Sequence, residues 1–455
     1  MKHQRGIYDG GMKKMPRSNK NPITPFAITN YRNIRTIFGI KEKNRRGHIY
    51  IIGKTGTGKS TLISNMAASD ARDGNGLALI DPHGDLAEAL LDLILKQRIK
   101  DVIYFNPSDL DHPVAFNPLQ NVAPEKRHLV ASNLISVFKK IWPEFWGPRL
   151  EHILRNTLLS LLEYPDATLL DVTRILTMKE YRAIVLKYVR NPQVREFWFF
   201  EFEKYSAWLR SEAISPILNK MSQFLTSDPL RNIVSQKKSA LDFRKIMDEG
   251  KVLVVNLSKG KIGEDNCALL GAMVVTKIQL AAQSRTDIPE HRRRSFYLFV
   301  DEVQNFMTLS FADALSEARK YGLSLVLAHQ YLEQLDPKIR AAVFGNIGTL
   351  ISFRVGAEDA KLLAREFRPV FSETDLIKLP NHHIYLKLMI DGHTSEPFSA
   401  VTLPSQEKGI SSKRKIIELS RAKYTEAPTN NKVKLDEPSY MIGRQGEAQA
   451  RLFIP

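Results

Sequence analysis

The sequence predicts an α/β fold in which a mostly parallel sheet carries an inserted all-helical domain. Short apolar runs bounded by turn residues recur along the chain. They are near-continuous rather than alternating, which is typical of strands covered on both faces. Helical stretches lie between most of these runs, as in a doubly wound parallel sheet. Between the third and fourth runs the apolar residues instead follow helical spacing, so a separate helical unit is expected there.

Seven runs are predicted as the strands of the sheet. They are HIYIIG (48–53), GLALID (76–81), DVIYFN (101–106), KVLVVNL (251–257), SFYLFVDE (295–302), LSLVLAHQ (323–330) and GTLISFRV (348–355). A helix with mixed acidic and basic residues is expected over 358–367. Two further strand-like runs surround Asp391-Gly392 and predict a hairpin.

The segment between the third and fourth strands has the apolar spacing of helices. In GPRLEHILRNTLLSLLE, seven residues fall at i, i+3, i+4, i+7, i+8, i+11 and i+12, which is one face of a helix. They are Leu150, Ile153, Leu154, Thr157, Leu158, Leu161 and Leu162. Similar periodicity runs through residues 129–138, 169–188 and 214–224. An all-helical domain is therefore predicted over residues 118–245.

The rest of the chain divides around this helical unit. The sheet domain is expected over residues 46–117 and 246–403. Residues 1–45 are basic and polar, and they predict a partly disordered arm with a short lead-in. Residues 404–455 are polar and charged, and they predict a tail with one short helix near 413–423.

Composition limits the classes of function. The 455 residues include 66 Lys and Arg against 49 Asp and Glu, a formal net charge of +17 that favours a polyanion or an anionic membrane as partner. Cys267 is the single cysteine, so an intramolecular disulfide is excluded and a packing role in a reducing compartment is expected. No stretch approaches the ~18 consecutive apolar residues of a transmembrane helix. The expected location is therefore the cytoplasm.

The stretch GKTGTGKS, from Gly53 to Ser60, matches G-x-x-x-x-G-K-[ST] at every fixed position, after a predicted strand and before a predicted helix. In such a loop the backbone N–H groups surround phosphates, Lys59 reaches the β- and γ-phosphates, and Ser60 ligates Mg²⁺. The pattern predicts a P-loop NTPase (RecA-like) domain. The expected ATP-binding residues are Gly53, Lys54, Thr55, Gly56, Thr57, Gly58, Lys59, Ser60 and Thr61.

Two acidic residues end the predicted strand FYLFVDE. Asp301 is expected to hold Mg²⁺ through water beside Ser60, and Glu302 is expected to be the catalytic base that orients the attacking water. The guanine-reading pattern Asn-Lys-x-Asp is missing from the sequence, because its nearest match at 219–222 lacks the Asp. ATP and Mg²⁺ are therefore the predicted ligands, with no other small-molecule substrate.

A third acidic segment, DPHGD, closes the second predicted strand. Asp81 and Asp85 are candidates to support the metal or the water network. The alternative is an Asp-Pro turn in which Asp85 caps the helix predicted over 86–95. The argument for a role at the metal is stronger for Asp81.

In this order, the segments HIYIIGKTGTGKS, LALIDPHGDL, FYLFVDEVQNF, EARKYGLSLVLAHQ and FGNIGTLISFRVGAEDAKLLAREF resemble the HerA/FtsK superfamily of ring-shaped DNA-pumping ATPases. Within that superfamily they look most like the TraG/TraD-type coupling proteins of conjugation and type IV secretion. The resemblance covers roughly residues 35–405. The short segment before the P-loop strand favours this branch over HerA, whose members carry a β-barrel domain there.

The resemblance implies a homohexameric motor that moves single- or double-stranded DNA through a central channel. It implies that Arg319 completes the ATP site of a neighbouring subunit and that Gln330 senses the γ-phosphate, beside Lys59 and Glu302. Without the family, the alternative for Arg319 is an exposed helix charge beside Lys320. Arg354 is a second arginine candidate with a structural alternative. A relaxase, or a secretion-system partner that recruits the chain to the inner face of the membrane, is also expected.

The predicted function is ATP-driven DNA translocation in conjugative transfer or a type IV secretion-like process. Two alternatives stay open at this point. One is a HerA-like translocase for repair or phage defence, and the other is a nucleotide-gated scaffold that binds DNA or a partner without pumping. The presence of both Glu302 and Arg319 argues against the scaffold, because a switch need not turn over quickly.

Several basic and aromatic residues are candidates for contact with DNA. The lysines and arginine proposed for the channel also read as ordinary solvated charges: Lys259, Lys261, Lys139, Lys140 and Arg149. Arg292, Arg293 and Arg294 are expected in a solvated loop. An aromatic cluster is expected to pack a helical core, with base stacking as the alternative: Phe197, Trp198, Phe199, Phe200, Phe202 and Trp208. His382 and His383 are expected to be structural.

Overall fold

The computed structural model describes residues 22–30, 35–406 and 411–425. The strands within these ranges are β1 (Ile23–Thr29), β2 (Ile37–Lys41), β3 (Ile49–Ile52), β4 (Gly76–Asp81), β5 (Val102–Phe105), β6 (Val252–Asn256), β7 (Phe296–Val300), β8 (Leu323–His329), β9 (Thr349–Ser352), β10 (His383–Lys387), β11 (Met389–Ile390), β12 (His393–Thr394) and β13 (Phe398–Thr402).

The α-helices of the same ranges alternate with these strands and fill one long insertion. They are α1 (Glu42–Arg45), α2 (Lys59–Arg72), α3 (Asp85–Leu93), α4 (Arg127–Ile141), α5 (Pro148–Glu163), α6 (Asp171–Thr177), α7 (Lys179–Leu186), α8 (Pro192–Glu196), α9 (Ala207–Leu225), α10 (Asp228–Val234), α11 (Phe243–Glu249), α12 (Lys259–Ile262), α13 (Glu264–Gln283), α14 (Leu309–Ala318), α15 (Pro337–Asn346), α16 (Ala357–Phe367), α17 (Glu373–Lys378) and α18 (Lys413–Tyr424).

Most of the strands form one sheet in the order β2-β1-β13-β10-β9-β3-β8-β7-β4-β6-β5. The seven strands from β9 to β5 pair in parallel, and they are the seven strands that the sequence predicts. The predicted α/β class and the mostly parallel sheet are therefore confirmed. Strands β11 and β12 form the hairpin expected around Asp391-Gly392.

The four strands at the other end of the sheet are antiparallel. Strand β10 pairs with β9 and β13, and β13 pairs with β1, which pairs with β2. In β10, Ile384 and Leu386 are buried and alternate with half-buried residues, as expected when one face of a strand packs on the core. The predicted arm over 1–45 did not anticipate β1 and β2, which add two strands to the sheet, while residues 1–21 and 31–34 lie outside the described residues.

The parallel strands are apolar on both faces because each face is covered. Tyr50 and Ile52 of β3 pack in one hydrophobic cluster, which continues into the inserted helices. Ile49 and Ile51 of the same strand pack in a second cluster with α2 and α3 on the opposite face. A strand buried on both sides has a continuous apolar run rather than an alternating one, which is why these strands were predictable.

Helices α4 to α11 occupy the long connection between β5 and β6. Helices α4, α5 and α9 fall on segments with predicted helical spacing, while the segment 169–188 contains two helices, α6 and α7. The buried faces of these helices belong to the same cluster as one face of the sheet. The helical domain is thus packed against the sheet and is not an isolated appendage.

Helix α13 is the most apolar long helix of the part of the chain that the structure describes. Together with the turn after it, Glu264–Asp287 is long and apolar enough to cross a membrane by length and composition, but 72% of its most apolar window is buried in the fold. Cys267 lies on this helix, and burial raises the pKa of its thiol to about 12. Both features are those of a core helix and a packing cysteine.

Helix α18 covers the outermost parallel strand. Its Ser420 hydroxyl accepts a hydrogen bond from the Tyr104 backbone N–H at 2.9 Å, and Ile416 is fully buried against the sheet. The contact protects the edge of β5 from pairing with another chain. The C-terminal segment predicted as a polar tail therefore contributes to the fold between 411 and 425, while residues 407–410 and 426–455 lie outside the described residues.

Candidate nucleotide site

The loop Gly53 to Ser60 connects β3 to α2 at the carboxyl end of the parallel strands. Gly56 and Gly58 have positive φ angles of 76° and 118°, a conformation that glycine adopts without steric cost. The Gly53 N–H donates to the His329 carbonyl at 3.3 Å, and the Lys54 N–H donates to the Arg354 carbonyl at 2.9 Å. The loop is therefore anchored to both neighbouring strands.

Lys59 begins α2 and folds back across the loop. Its Nζ donates to the carbonyls of Gly53 and Lys54 at 2.5 and 3.2 Å, and the side chain is buried. Burial lowers the pKa of this ammonium, while the nearby Asp301 and Glu302 oppose that shift. An anion in the loop would give the ammonium a charged partner in place of two carbonyls.

The other loop residues leave a polar surface open to solvent. Lys54, Thr55 and Ser60 are exposed, and Thr61 is half-buried. The Thr57 hydroxyl instead donates to the Lys54 carbonyl at 2.7 Å and stabilises the turn. The backbone of the loop and the first turn of a 14-residue helix face this opening, which is the arrangement that binds phosphate.

Asp301 and Glu302 follow β7 directly, two strands away from the loop. The Asp301 N–H donates to the Ile80 carbonyl at 3.1 Å, and the Glu302 N–H donates to Asp301 Oδ1 at 3.1 Å. Burial raises the pKa of Asp301 to about 7, and the neighbouring carboxylates of Glu302 and Asp81 add to the shift. Three carboxylates therefore lie close together near the single ammonium of Lys59.

Glu302 has an unusual backbone conformation for a residue with a side chain. Its φ angle of 48° is in the left-handed region. Its carboxylate accepts hydrogen bonds from Gln304 Nε2 at 2.8 Å and from Gln330 Nε2. Such conformations persist where the surroundings hold them and cluster at functional sites.

Gln330 connects the nucleotide loop to Glu302. While its Nε2 binds Glu302, its Oε1 accepts the Thr55 hydroxyl at 2.7 Å. The side chain therefore bridges the phosphate loop and the proposed base. A ligand in the loop that moves the Gln330 side chain therefore also changes the hydrogen bonding of Glu302.

Asp81 and Asp85 have different environments. The two oxygens of Asp81 accept the N–H groups of His83 at 2.8 Å and Ala87 at 2.9 Å, so Asp81 caps the start of α3. Asp85 is exposed in the first turn of that helix. The capping role expected as the alternative for Asp85 therefore belongs to Asp81, which also lies beside Asp301.

Arg319 lies at the amino end of the parallel strands, opposite to the nucleotide loop. It is exposed in a 3₁₀ turn, Arg319–Tyr321, that precedes β8. Burial lowers the pKa of His48, just before β3, and the nearby charge of Arg319 adds to that shift. The strand between His48 and Gly53 spans ~16 Å at 3.3 Å per residue. Arg319 therefore does not join the nucleotide loop of its own chain.

Arg354 is held by the fold beside the loop. Its Nη1 donates to the Leu379 carbonyl at 3.2 Å, and its Nη2 donates to Asn381 Oδ1 at 2.9 Å. These contacts tie the end of β9 to the segment before β10. The structural alternative for Arg354 therefore has direct support.

Two histidines contact the site and were not identified as site residues from the sequence. The backbone N–H of His382 donates to the Thr57 carbonyl at 2.8 Å, and a Cβ on Gly58 would lie 2.7 Å from its Nδ1. His329 is fully buried, with Nδ1 3.0 Å from the Tyr50 hydroxyl, and burial lowers its pKa to about 3. The only sequence signal for these residues is that His329 precedes Gln330.

The oxygen donors of Ser60 and Asp301 suit Mg²⁺ that is bound together with nucleotide phosphates. Among the described residues, no group of three or more His, Cys, Asp and Glu side chains forms a metal site by itself. Mg²⁺ is usually held by one or two carboxylates together with waters and substrate phosphates, and Ser60 and Asp301 provide such a partial set. The carboxylates of Asp301, Glu302 and Asp81 also outnumber the nearby Lys59 ammonium, which favours the binding of a cation.

The candidate DNA-contacting residues divide into exposed and occupied groups. Lys139, Arg149 and Lys261 are exposed, and Lys259 is half-buried. Lys140 is not free for DNA, because its Nζ donates to the Gln304 carbonyl at 2.6 Å.

The basic segment before β7 is exposed at Arg292 and Arg294, as expected of a solvated loop, but two of its side chains also bind the backbone of other segments. Arg293 Nε donates to the carbonyls of Arg285 and Ile288, and Arg294 Nη1 donates to the Glu249 carbonyl at 2.7 Å. Both side chains therefore contribute to the fold.

The aromatic cluster is split between the core and the surface. Phe197, Trp198 and Phe202 are buried, in agreement with the packing role. Phe199, Phe200 and Trp208 are 47%, 66% and 74% exposed. Packing therefore explains only half of the cluster.

Comparison with known proteins gives one family match. Residues 32–365 match the family model described as the type IV secretion-system coupling protein DNA-binding domain. No curated protein sequence matches the chain.

Several solved structures share the fold. The plasmid coupling protein TrwB in complex with ADP and Mg²⁺ aligns with a TM-score of 0.58 and 17% identity over 88% of this chain and 98% of that chain. Unbound TrwBΔN70, a bacterial conjugative coupling protein, gives 0.57 and 17% over 84% and 90%. VirB4 of Thermoanaerobacter pseudethanolicus gives 0.57 and 13% over 87% and 98%. At these identities the likeness concerns the fold.

Proposed function

This chain belongs to the family of type IV secretion-system coupling protein DNA-binding domains, and we propose that it is an ATP-driven motor that moves DNA in conjugative transfer or type IV secretion. The family match covers well over half of the chain, and it agrees with the resemblance to coupling proteins drawn from the sequence. The nucleotide is proposed to be ATP with Mg²⁺. The solved TrwB structures include complexes with ADP and Mg²⁺ and with a non-hydrolysable ATP analogue.

The proposal rests on one observation: the nucleotide loop, the carboxylates of Asp301 and Glu302, and the Gln330 amide lie together at the carboxyl end of the parallel strands. In this proposal the loop N–H groups and Lys59 bind the β- and γ-phosphates, and Glu302 accepts a proton from the attacking water. Gln330 reports the state of the γ-phosphate to Glu302, because it contacts both the loop and the base. Mg²⁺ bound near Ser60 and Asp301 would neutralise charge on the phosphates.

Arg319 is proposed to act on the site of a neighbouring subunit. It is exposed and lies at the amino end of the parallel strands, while its own nucleotide loop lies at their carboxyl end. An arginine supplied by a neighbour stabilises the charge of the transition state and makes hydrolysis depend on assembly. A homohexameric ring, as in the resembling motors, gives each site one such neighbour.

DNA is the proposed cargo. The net charge of +17 favours a polyanion, and the family description names a DNA-binding domain. Lys261 and Arg149 are proposed to face DNA, since both are exposed. A relaxase or secretion-system partner at the cytoplasmic face of the membrane completes the proposal.

The experiment that tests the function is ATP hydrolysis with and without single-stranded and duplex DNA. The account predicts Mg²⁺-dependent turnover that DNA stimulates and that rises with protein concentration. Exposed Lys261→Ala should weaken DNA binding and lower the salt dependence, with little change in turnover at saturating DNA. Turnover that ignores DNA, together with a protein partner that binds only in the presence of ATP, would instead indicate a nucleotide-gated scaffold.

A further inference from the structure

Lys140 connects the helical domain to the turn after β7, which follows Asp301 and Glu302. It lies in the last turn of α4, and its Nζ donates to the Gln304 backbone carbonyl at 2.6 Å. Gln304 Nε2 then donates to Glu302 Oε2 at 2.8 Å. A chain of two hydrogen bonds therefore runs from the helical domain to the proposed catalytic base.

The environment of Lys140 differs from that of its neighbour in sequence. The side chain of Lys139 is 58% exposed, with its Nζ 3.9 Å from Glu151. Burial lowers the pKa of Lys140 to about 8, although the charge of Asp336 opposes the shift. At pH 7 Lys140 is therefore mostly protonated, and it donates its hydrogen bond from a half-buried position, where a charge is costly unless it is hydrogen-bonded.

Glu302 is held from two directions. Gln330 binds one carboxylate oxygen and also contacts Thr55 in the nucleotide loop. Gln304 binds the other oxygen from a short 3₁₀ turn, Val303–Asn305, whose backbone carbonyl is the acceptor for Lys140. One side of the base thus faces the nucleotide, and the other side faces the helical domain.

We propose that Lys140 is a positioning residue that couples the helical domain to Glu302 through Gln304. Lys140 does not touch the nucleotide loop. When α4 shifts, the hydrogen bond from Lys140 moves the 303–305 turn. The hydrogen bond from the Gln304 side chain to the Glu302 carboxylate then changes in length or direction. The inference rests on the proposed function, because it takes Glu302 as the base and DNA as the stimulating ligand.

The test is steady-state ATP hydrolysis by the full chain, with and without saturating single-stranded DNA. Lys140→Met should lower kcat about tenfold or more, both with DNA and without it, because the turn that holds Gln304 against Glu302 loses its charged hydrogen-bond donor. The KM for ATP should stay within about twofold, because the loop and Lys59 are untouched. Lys140→Arg should recover most of the activity, and Lys187→Met, at an exposed lysine of the same helical domain, is the matched control without an effect.

A double-mutant cycle with Gln304→Ala separates coupling from a local effect of Lys140. If Lys140 acts through Gln304, Lys140→Met should add little in the Gln304→Ala background. Fully additive losses, or an unchanged kcat in Lys140→Met, would overturn the inference. Thermal unfolding of each variant shows whether a loss of kcat merely follows a loss of fold, and a loss that tracks unfolding and is not rescued by arginine would also overturn it.

Failure of this inference and failure of the proposed function give different results. A wild type that DNA stimulates, together with a Lys140→Met variant whose kcat equals that of the wild type both with and without DNA, would overturn the role of Lys140 alone. A wild type that hydrolyses ATP without any response to DNA would contradict the proposed function. In that case the basal kcat of Lys140→Met still decides whether Lys140 positions the base.

Discussion

Two clusters of buried charge lie in the sheet domain, and their charges balance differently. In the first, Arg45 and Asp70 form a closed pair in which Arg45 Nη2 donates to Asp70 Oδ2 at 2.8 Å. Arg45 Nη1 donates to Thr24 Oγ1 at 2.9 Å, and the guanidinium lies 3.7 Å from the centre of the Tyr297 ring. One positive and one negative charge match, and both side chains are almost fully buried.

In the second cluster the charges do not match. Asp301 and Glu302 lie near Lys59, and Asp81 adds a further carboxylate. The raised pKa of Asp301 reflects burial first, and this excess of negative charge adds to it. The charges of the first cluster cancel within the fold, while the second keeps an excess of negative charge that the proposed Mg²⁺ would neutralise.

The largest expected effect is at the unbalanced cluster. Glu302→Gln should lower ATP turnover by about 10²–10⁴-fold, the usual contribution of general base catalysis. Stability should not fall, because one of two adjacent carboxylates becomes neutral. Turnover and thermal unfolding are the measurements, with the exposed Glu333→Gln as control. A variant that keeps most of its turnover would remove Glu302 from the role of base.

The balanced cluster should respond in stability rather than in chemistry. Arg45→Met leaves Asp70 buried without its partner, and the free energy of unfolding should fall by about 3–5 kcal/mol. In the double variant with Asp70→Asn, part of that loss should be recovered. Urea unfolding measures both changes. A loss below ~1 kcal/mol in the single variant would show that the pair does not stabilise the fold as described.

Stability should depend on pH through Asp301. Its folded pKa of about 7 lies above the unfolded value of about 3.9, so the folded state binds the proton more tightly. Its contribution to stability is therefore full below pH ~4 and is lost as the pH rises through about 7. Relative to Asp301→Asn, the wild type should lose up to about 1.4 kcal/mol per pH unit between these values. Denaturant unfolding at pH 5, 6 and 7 without Mg²⁺ measures the difference, and parallel curves would contradict it.

The smallest expected effect concerns the bridge made by Gln330. Thr55→Val removes the hydroxyl that donates to Gln330 Oε1 while keeping the shape of the side chain. The loss of one hydrogen bond should cost roughly 0.5–1.5 kcal/mol, a few-fold decrease in kcat. The matched control is Thr177→Val in the helical domain, where an exposed hydroxyl only contacts its own helix. An equal effect of both changes would show that the bridge has no part in turnover.

Local patterns made the centre of the sheet predictable. The parallel strands are buried on both faces and therefore appear as continuous apolar runs, and Gly53–Ser60 combines a glycine-rich loop with Lys59 at fixed spacing. Strands β1 and β2 were missed because their residues are mixed in polarity and because β1, which links β2 to the sheet, pairs with β13 from the far end of the chain. Such long-range pairing leaves no local signal.

The contacts around the site were less predictable than its main residues. The sequence suggested Gln330 only through a family resemblance, and nothing in it connects Lys140 to Gln304. Both contacts depend on tertiary packing between segments that lie 28 and 164 residues apart. Asp81 was a candidate for the metal, but its two oxygens cap α3, which only the structure reveals.

A nucleotide site that works between subunits should be restored when two inactive variants are mixed. Lys59→Ala lacks the phosphate-binding lysine, and Arg319→Ala lacks the arginine proposed to act on the neighbour. The account predicts that each variant alone hydrolyses ATP poorly, with or without DNA. An equimolar mixture should recover part of the DNA-stimulated turnover, because some interfaces then combine an intact Lys59 with an intact Arg319. A mixture no more active than its components, or full activity of Arg319→Ala alone, would contradict the account.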